Sequence, residues 1–352
     1  MGAKCGKDGR TCVEHGTRRD NDSRLLSMYR RSTVCVLNGL DIATNAAKCA
    51  GSATMTATTI SQIVWPRPAI AGCIFCMIVR DTRGVALDQT QRFNFFPASP
   101  LCSVMWGLAG EWHLIDQPNQ MERPWTGTRL PGLAFFGPQL GPLVSWNPGE
   151  TYAITIAFYP DALSTMTGLD LSQFKERMAS AEEVLPQPIL ELCRNFLDVA
   201  RREGAEKGLS VLEDKIESMW ADTRPAGTRP MTWIKDWSRS LVLKAMRTDL
   251  GRSSRQVARR VKSWTGVSQR DLLGLGHTEQ LYAKLHEAIQ NGDVDWSGLA
   301  AASGFADQAH MIRQMRRHTG FTPEQLRQSA RNDEAFWGYR LLGEYFTKPK
   351  GQ

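Results

Sequence analysis

Two stretches in the C-terminal third share one layout, and this repetition limits the fold more than any other feature. The second, GFADQAHMIRQMRRHTGFTPEQLRQ at 304–328, places a short helix between a glycine turn and Gly320. The first, GRSSRQVARRVKSWTG at 251–266, runs from a glycine turn to Gly266. Gly266 and Gly320 are 54 residues apart, as are Val257 and Met311. Because glycine permits the positive φ of a tight turn, the pattern predicts two helix–turn–helix units.

Apolar spacing divides each of these helices into an inner and an outer face. Met311 and Met315 are four residues apart, as are Val257 and Val261, so each pair is predicted to face the core. The basic and polar side chains are left on the outer face. The helix before the first unit is predicted to bury Leu241, Leu243 and Met246.

Capping residues set where these helices begin. Ser253 and Asp307 stand where a side-chain oxygen caps the first turn. Thr322 followed by Pro323 starts a further helix, with threonine as cap and proline at the first helical position. Between the two units, residues 269–292 read as one longer helix. That helix would hold the units at a fixed separation, so that one chain reaches successive major grooves about 34 Å apart.

Charge is distributed unevenly along the chain, whose net charge is +7. Residues 229–331 hold 17 Lys and Arg against 9 Asp and Glu, whereas residues 77–228 hold 13 against 19. A basic block beside an acidic one suggests two units with different partners, and nucleic acid suits the basic block. A solvated basic surface would have the same composition.

Side chains on the outer faces are candidates for DNA contact. Arginine and glutamine can each make two hydrogen bonds to a base edge, and cations nearby bind phosphates. The predicted base contacts are Arg255, Gln256, Arg259, Gln308, His310 and Arg313. The predicted phosphate contacts are Arg260, Lys262, Arg316, Arg317 and, at a helix N-terminus, Thr322. Each of these arginines, and His310, is alternatively only a solvated surface residue.

Short apolar runs separated by Pro and Gly fill residues 91–159 and predict a small β-barrel or sandwich. Residues 151–159 read as one of its strands. Helical spacing follows over residues 161–220, in helices that either cover the β unit or pack against a second copy. Aromatic residues of this region would line an effector pocket or simply fill the core. The pocket candidates are Trp106, Trp112, Trp125, Phe135 and Trp146.

Composition suggests five segments. Residues 1–76 lack periodicity and are expected to be a disordered or mis-assigned extension. Residues 77–220 form the predicted β-barrel sensor and dimerisation domain, and 221–230 are a linker rich in Pro, Gly and Thr. Residues 231–331 form the DNA-binding domain, and 332–352 a tail.

The chain resembles the AraC-type (AraC/XylS) transcriptional regulators. Residues 304–328 carry the resemblance through the Gly-Phe opening, the Asp-Gln pair, the Arg-Arg run and the Gly-x-Thr-Pro ending, and residues 251–266 fit more loosely. The resemblance implies an α+β fold. It combines a cupin-like β-barrel and dimerisation helices with a C-terminal all-α domain of two helix–turn–helix units. It also implies a homodimeric, sequence-specific regulator that binds double-stranded DNA and a small-molecule effector, with RNA polymerase as a possible partner.

Other chemistry finds little support in the sequence. Of eight cysteines, Cys73 and Cys76 form a CxxC pair, but a zinc site needs about four ligands, and His113 is the one histidine in residues 77–228. No cofactor or metal is therefore expected. No apolar run reaches the roughly 18 residues that span a bilayer, so a cytoplasmic protein is expected. Two alternatives stay open: a cupin-type enzyme with an appended DNA-binding domain, and a constitutive DNA-binding protein whose middle domain only dimerises.

Overall fold

The computed structural model describes residues 58–228, 231, 233–247, 253–291 and 294–347. Most of the predicted N-terminal extension, residues 1–57, lies outside these ranges. So do residues 229–230 of the predicted linker, the turn at Gly251 and residues 348–352.

The strands form two antiparallel sheets. In the described residues they are β1 (Ile60–Val64), β2 (Ile74–Asp81), β3 (Phe93–Phe96), β4 (Cys102–Ala109), β5 (His113–Leu114), β6 (Thr128–Arg129), β7 (Leu133–Phe136), β8 (Leu143–Trp146), β9 (Tyr152–Phe158) and β10 (Met178–Ser180). Six of them pair in the order β1–β2–β9–β4–β7–β10, and four in the order β3–β8–β5–β6. Both sheets are open at their edges, so the closed cupin-like barrel expected from the sequence is not confirmed. The α+β class, with sheets followed by a helical C-terminal region, is confirmed.

Alternation along β9 gives the six-stranded sheet two different faces. Ile154 and Ile156 are fully buried in the main core. The intervening side chains Ala153, Thr155 and Ala157 point to the opposite face, towards the second sheet. Since these three are small, the space between the sheets is not filled by β9.

The helices account for most of the remaining described chain. They are α1 (Pro160–Thr167), α2 (Ala181–Val184), α3 (Gln187–Glu203), α4 (Ala205–Thr223), α5 (Ile234–Met246), α6 (Ser254–Thr265), α7 (Gln269–Asn291), α8 (Trp296–Ala302), α9 (Gln308–Thr319), α10 (Pro323–Asn332) and α11 (Trp337–Thr347). None of the helices in the described ranges is long and apolar enough to cross a membrane.

The α3–α4 pair covers the outer face of the six-stranded sheet. The indole Nε1 of Trp106 on β4 donates to the carbonyl of Cys193 on α3 at 3.0 Å, and its ring centroid lies 4.7 Å from that of Phe196. Leu212 and Ile216 of α4 belong to the same core. The apolar faces of these helices are thus used within the chain. The prediction that they pair two chains remains untested.

Three boundaries differ from those predicted. Residues 58–76 were assigned to a loose extension, yet β1 lies there and β2 begins at Ile74. Ile63 is buried, and β1 stands at the end of the strand order with β2 as its one partner, so this segment is an edge strand of the sheet. The predicted linker loses its first residues to α4, which ends at Thr223. The predicted tail forms α11, which packs on β1 and β3.

Candidate DNA-binding surface and interior cavity

The two predicted helix–turn–helix units have matching ends. We call α6 and α9 the reading helices. Ser253 caps α6, its hydroxyl accepting from the N–H of Gln256 at 3.3 Å, and Asp307 caps α9, its carboxylate accepting from the N–H of His310 at 2.5 Å. Both helices end at a glycine in the left-handed conformation, with φ of 72° at Gly266 and 79° at Gly320.

A threonine hydroxyl makes the same two hydrogen bonds at the C-terminal end of each reading helix. The Thr265 hydroxyl bonds the carbonyl of Val261 at 2.7 Å and the N–H of Val267 at 3.1 Å. The Thr319 hydroxyl bonds Met315 at 2.8 Å and Phe321 at 2.9 Å in the same pattern. The predicted register of 54 residues therefore holds at the level of individual hydrogen bonds.

The predicted core positions of the reading helices are buried. These are Val257, Val261, Met311 and Met315. The helix α5 differs from expectation: it buries Trp237, Leu241 and Ala245, whereas Leu243 is 55% exposed and Met246 is 46% exposed. The buried set follows i, i+4, i+8 spacing, so the prediction for Leu243 and Met246 chose the wrong face of this helix.

Most of the predicted base-reading side chains are exposed. Arg255, Arg259, Gln308 and Arg313 lie on the surface, and none of them forms an ion pair with another described residue. Gln256 is also exposed, but its amide oxygen accepts the N–H of Ser253 in a capping box. Contact with a base therefore depends on the amide NH₂ of Gln256 or on release of the cap.

His310 is partly engaged in its own turn. Its Nδ1 accepts from the N–H of Ala306 at 3.4 Å, and its ring meets that of Phe305 edge-on at 5.6 Å. These contacts leave Nε2 as the ring atom available to DNA.

The predicted phosphate contacts fall into two groups. Lys262 and Arg316 are exposed, whereas Arg260 donates to the carbonyl of Ala245 at 2.6 Å. Arg317 pairs with Asp271 of α7 at 3.0 Å. For Arg260 and Arg317, a phosphate must compete with an existing partner.

Thr322 caps α10, as predicted from its sequence. Its hydroxyl accepts from the N–H of Gln325 at 3.2 Å, while its own N–H donates to the Gln325 side chain at 2.9 Å. Because the Thr322 N–H is occupied and Pro323 has none, a phosphate at this N-terminus would have to use the N–H of Glu324.

A buried histidine joins the second reading helix to α7. His318 is 3% exposed, and its Nδ1 lies 2.7 Å from the hydroxyl of Thr278. Burial lowers the pKa of His318 to about 4, and the positive charge of Arg317 adds to this against the opposing effect of Asp271. The imidazole is therefore neutral at physiological pH.

An apolar cavity of about 280 Å³ lies between the two sheets. Its walls include Met105 and Ala153 of the six-stranded sheet and Phe96 and Leu143 of the other. Ile234 of α5 also lines it. Two further helices from the C-terminal part of the chain take part in the lining. They contribute Leu275, Thr278 and Tyr282 of α7 and Trp337, Leu341 and Tyr345 of α11. The cavity is therefore in contact with the helix that separates the two reading helices.

Arg80 is the buried cation of this cavity. It is 6% exposed, and its two terminal nitrogens donate to Ser61 at 2.7 Å and to Glu334 at 2.8 Å. Its guanidinium lies 5.0 Å from the ring centroid of Trp337. The Nε–H of Arg80 has no hydrogen-bond partner among the described residues. A buried donor without an acceptor is costly, so this atom favours a ligand with an acceptor group.

Of the five aromatic residues predicted to line a pocket, only Trp112 lines the cavity. Trp106 faces α3, because on β4 it alternates with Met105, which faces the cavity. Phe135 is fully buried against Phe174, and Trp125 is 57% exposed. Trp146 is buried, with its ring 5.9 Å from that of His113.

The sequence prediction missed Arg80, α7 and α11 as cavity walls. Arg80 ends an apolar run, and strand alternation from Cys76 through Ile78 would have placed it on the cavity face. Nothing local indicates that a helix of the DNA-binding domain covers a sheet.

The CxxC pair noted in the sequence lies in the interior of the protein. Cys73 and Cys76 are buried free thiols, and burial raises the pKa of each to about 12. In the described part of the chain, no three His, Cys, Asp or Glu side chains are grouped as a metal site.

The part of the chain from β1 to α4, which carries both sheets, is called here the sheet domain. Each reading helix touches it at its C-terminal end. A Cβ on Gly266 would lie 2.8 Å from the carbonyl oxygen of Leu171. The N–H of Ala98 donates to the carbonyl of His318 at 2.7 Å. The N-terminal halves of α6 and α9, which carry Arg255, Arg259 and Gln308, remain exposed.

Comparison with known proteins identifies the C-terminal region. Residues 246–329 match the family model described as "Helix-turn-helix domain", which is of the AraC type. No curated protein sequence matches the chain.

Several solved structures are similar at low identity. An apo lysine-to-alanine variant of ToxT from Vibrio cholerae is 9% identical, with a TM-score of 0.34 over 72% of this chain and 96% of its own. Wild-type ToxT from Vibrio cholerae, with an unsaturated fatty acid bound, is 10% identical, with a TM-score of 0.33 over 72% of this chain and 95% of its own. The AraC-like transcriptional activator CuxR is 10% identical, with a TM-score of 0.24 over 81% of this chain and 100% of its own.

Proposed function

We propose that the chain is a DNA-binding transcriptional regulator with an AraC-type helix–turn–helix domain, and that it reads two adjacent DNA sites under the control of an apolar ligand. The DNA-binding assignment rests on the match of residues 246–329. Two-site reading and the chemistry of the ligand are proposals, supported by the geometry of the reading helices and of the cavity.

The observation that carries two-site reading is the pair of matched reading helices. Both begin at a side-chain cap, and both end at a left-handed glycine preceded by a hydrogen-bonded threonine. Both also expose cations on the outer face. The helix α7 lies between them. A helix of this kind places its N-terminal residues against base edges in the major groove.

The candidate contact residues differ in whether they already have a hydrogen-bond or ion-pair partner within the chain. We propose that Arg255, Arg259, Gln308 and Arg313 are the main base contacts, with Gln256 and His310 contributing through their remaining donors. Lys262 and Arg316 would neutralise phosphates directly. Arg260, Arg317 and the Thr322 turn would do so only after exchanging a partner.

Selection of bound duplexes from a random pool tests this proposal. The full chain is expected to enrich duplexes with two motifs about one helical turn apart, at affinities that fall steeply with salt. Repeating the selection with cell metabolite extract shows whether a ligand changes the outcome. Enrichment of no motif, or of a single motif, would contradict two-site reading.

The cavity supports control by a mostly apolar molecule with one hydrogen-bond acceptor. Most of its lining residues are apolar, although polar side chains such as Asn94 and Glu279 also take part. The Arg80 Nε–H is a donor left without a partner in the described part of the chain. A ligand there would touch the sheet walls and α7 together. Ligand binding would change DNA binding to the extent that it favours one arrangement of α7 over another.

Thermal unfolding with decanoic acid and with decan-1-ol as probes tests the cavity. Ala157 lines it, so Ala157→Leu fills space that a ligand needs. Both probes are expected to raise the unfolding temperature of the unmodified chain and to leave that of Ala157→Leu unchanged. The exposed change Ala221→Leu on α4 is the matched control. An equal shift in all three proteins would place the binding elsewhere.

Several earlier expectations stay predictions. Homodimerisation, contact with RNA polymerase and a cytoplasmic location are proposed from the family role alone. A homodimer formed through α3 and α4 would have to use their outer faces, because the inner faces cover the sheet. The enzyme alternative is less well supported than ligand binding, since the cavity is lined mainly by apolar side chains.

A further inference from the structure

The segment that follows α10 packs against the rest of the protein. It comprises a 3-10 turn at Glu334–Phe336 followed by α11, and is called here the C-terminal clamp. Phe336, Trp337, Leu341 and Tyr345 are all buried. A solvated tail would not bury side chains of this size.

One side of the clamp contacts the second helix–turn–helix unit and α7. The ring of Phe336 lies 5.0 Å from that of Phe321, which follows the second reading helix. The hydroxyl of Tyr339 donates to the carbonyl of Thr319 at 3.4 Å. A Cβ on Gly343 would overlap the imidazole ring of His286, so α11 approaches α7 as closely as glycine permits.

The other side contacts the sheets. Phe336 stacks on Phe95 of β3 at 4.8 Å, and the indole of Trp337 donates to Oδ1 of Asn94 at 2.7 Å. Near the end of the clamp, Tyr345 stacks on Phe75 at 4.8 Å.

A carboxylate ties the start of the clamp to the edge of the six-stranded sheet. Oε1 of Glu334 accepts from Arg80 at 2.8 Å and from Thr59 at 2.7 Å, and its Oε2 pairs with Arg340 at 2.8 Å. These charge-assisted bonds are directional, so they fix where α11 begins.

We propose that the C-terminal clamp positions the second helix–turn–helix unit against the sheet domain, so that both reading helices engage one duplex together. The inference rests on the proposed two-site reading. Glu334 and Trp337 are positioning residues, since they act through the second unit and touch no base. The first unit has a separate anchor at Asp161, which accepts from Trp237 at 2.9 Å.

The physical effect of such a clamp is on the second binding event. When one reading helix is bound, a rigidly held partner meets the neighbouring groove at high effective concentration. If the second unit moves freely, that advantage falls, and the spacing between the two motifs is enforced less strictly. The affinity of the first unit for its own motif is unaffected.

The test compares three variants of the full chain on three duplexes. Glu334→Gln removes the charge of the network, and Trp337→Phe removes the donor to Asn94 while keeping an aromatic ring. Glu182→Gln, which breaks the exposed pair with Arg194, is the control. The duplexes carry both motifs, the first motif alone, or both motifs with about half a helical turn inserted between them.

Both clamp variants are expected to lose about tenfold in affinity for the two-motif duplex and less than about twofold for the single motif. They should also discriminate less against the inserted duplex. The control should match the unmodified chain. Equal losses on all duplexes, or an unchanged two-motif affinity, would overturn the clamp while leaving the proposed function intact. If the unmodified chain binds no duplex, the proposed function fails, and the clamp inference fails with it.

Discussion

At the scale of single residues, Arg313 offers the sharpest test of base reading. It is exposed on the second reading helix and has no ion pair with a described residue, so its guanidinium is free to make two hydrogen bonds to guanine. Replacing it with alanine should cost about 1–3 kcal/mol of discrimination at one base pair. Competition binding against duplexes that vary only at that position measures this loss.

Arg316 is the matched comparison on the same helix. It is also exposed, but we assign it to phosphate. Arg316→Ala should weaken binding to all duplexes alike and reduce the slope of log affinity against log salt by about 1. If the two variants behave identically, the division into base and phosphate contacts is wrong.

His318 makes stability depend on pH. Its folded pKa of about 4 lies below the ordinary value of 6.5, so between these values the unfolded chain binds a proton that the folded chain does not. Stability is therefore complete above about pH 6.5 and falls as the pH drops to about 4, by at most about 3 kcal/mol.

Denaturation midpoints of the full chain and of His318→Gln, measured at pH 7, 5.5 and 4.5, test this effect. Glutamine retains a polar group for Thr278 but does not titrate. The stability difference between the two proteins should shrink as the pH falls. Parallel pH profiles would show that His318 is not the group responsible.

At the scale of elements, the two glycines that end the reading helices share the same backbone strain but differ in how closely they approach the rest of the protein. Both have positive φ, which costs a non-glycine residue about 1–2 kcal/mol. At Gly266 a Cβ would also meet the Leu171 carbonyl at 2.8 Å, whereas at Gly320 the nearest atom is Pro142 Cγ at 3.7 Å. Gly266→Ala should therefore lower the unfolding temperature more than Gly320→Ala. Equal effects would mean that the first unit does not press against the sheet domain.

These elements also show which parts of the fold the sequence could predict. The caps, glycines and i, i+4 spacing of α6 and α9 are local, so both reading helices were predicted with their ends and core residues. Whether Trp106 on β4 faces the cavity or α3 depends on which elements cover each face of the sheet, and no local pattern reveals that. In α11, Trp337, Leu341 and Tyr345 have helical spacing, but their partners on β1, β2 and β3 lie far back in the chain, as the bond between Trp337 and Asn94 across 243 positions shows.

At the scale of the whole molecule, the two helix–turn–helix units are anchored to the sheet domain at different places. The first is held by Asp161, which bonds the indole of Trp237 at 2.9 Å and pairs with Lys244 at 3.3 Å. The second is held by the C-terminal clamp. Val257, Val261 and Leu275 nevertheless belong to the same apolar core as Ile154 and Ile156. A ligand between the sheets would contact α7 and α11 through several residues each but α5 only through Ile234, so we expect it to affect the two units unequally.

Because the two units have separate anchors, we expect each unit to unfold locally without the other. Asp161→Ala removes both bonds and should lower the opening free energy of α5 and α6 by about 1–3 kcal/mol, while α9 keeps its protection. Asp161→Asn keeps an acceptor for Trp237 and should have a smaller effect. Glu334→Gln should do the reverse, increasing amide exchange in α9 and α10 but not in α6. Hydrogen exchange followed by mass spectrometry distinguishes these patterns. If either change loosens both reading helices together, the DNA-binding domain docks as one block, and the two anchors do not act independently.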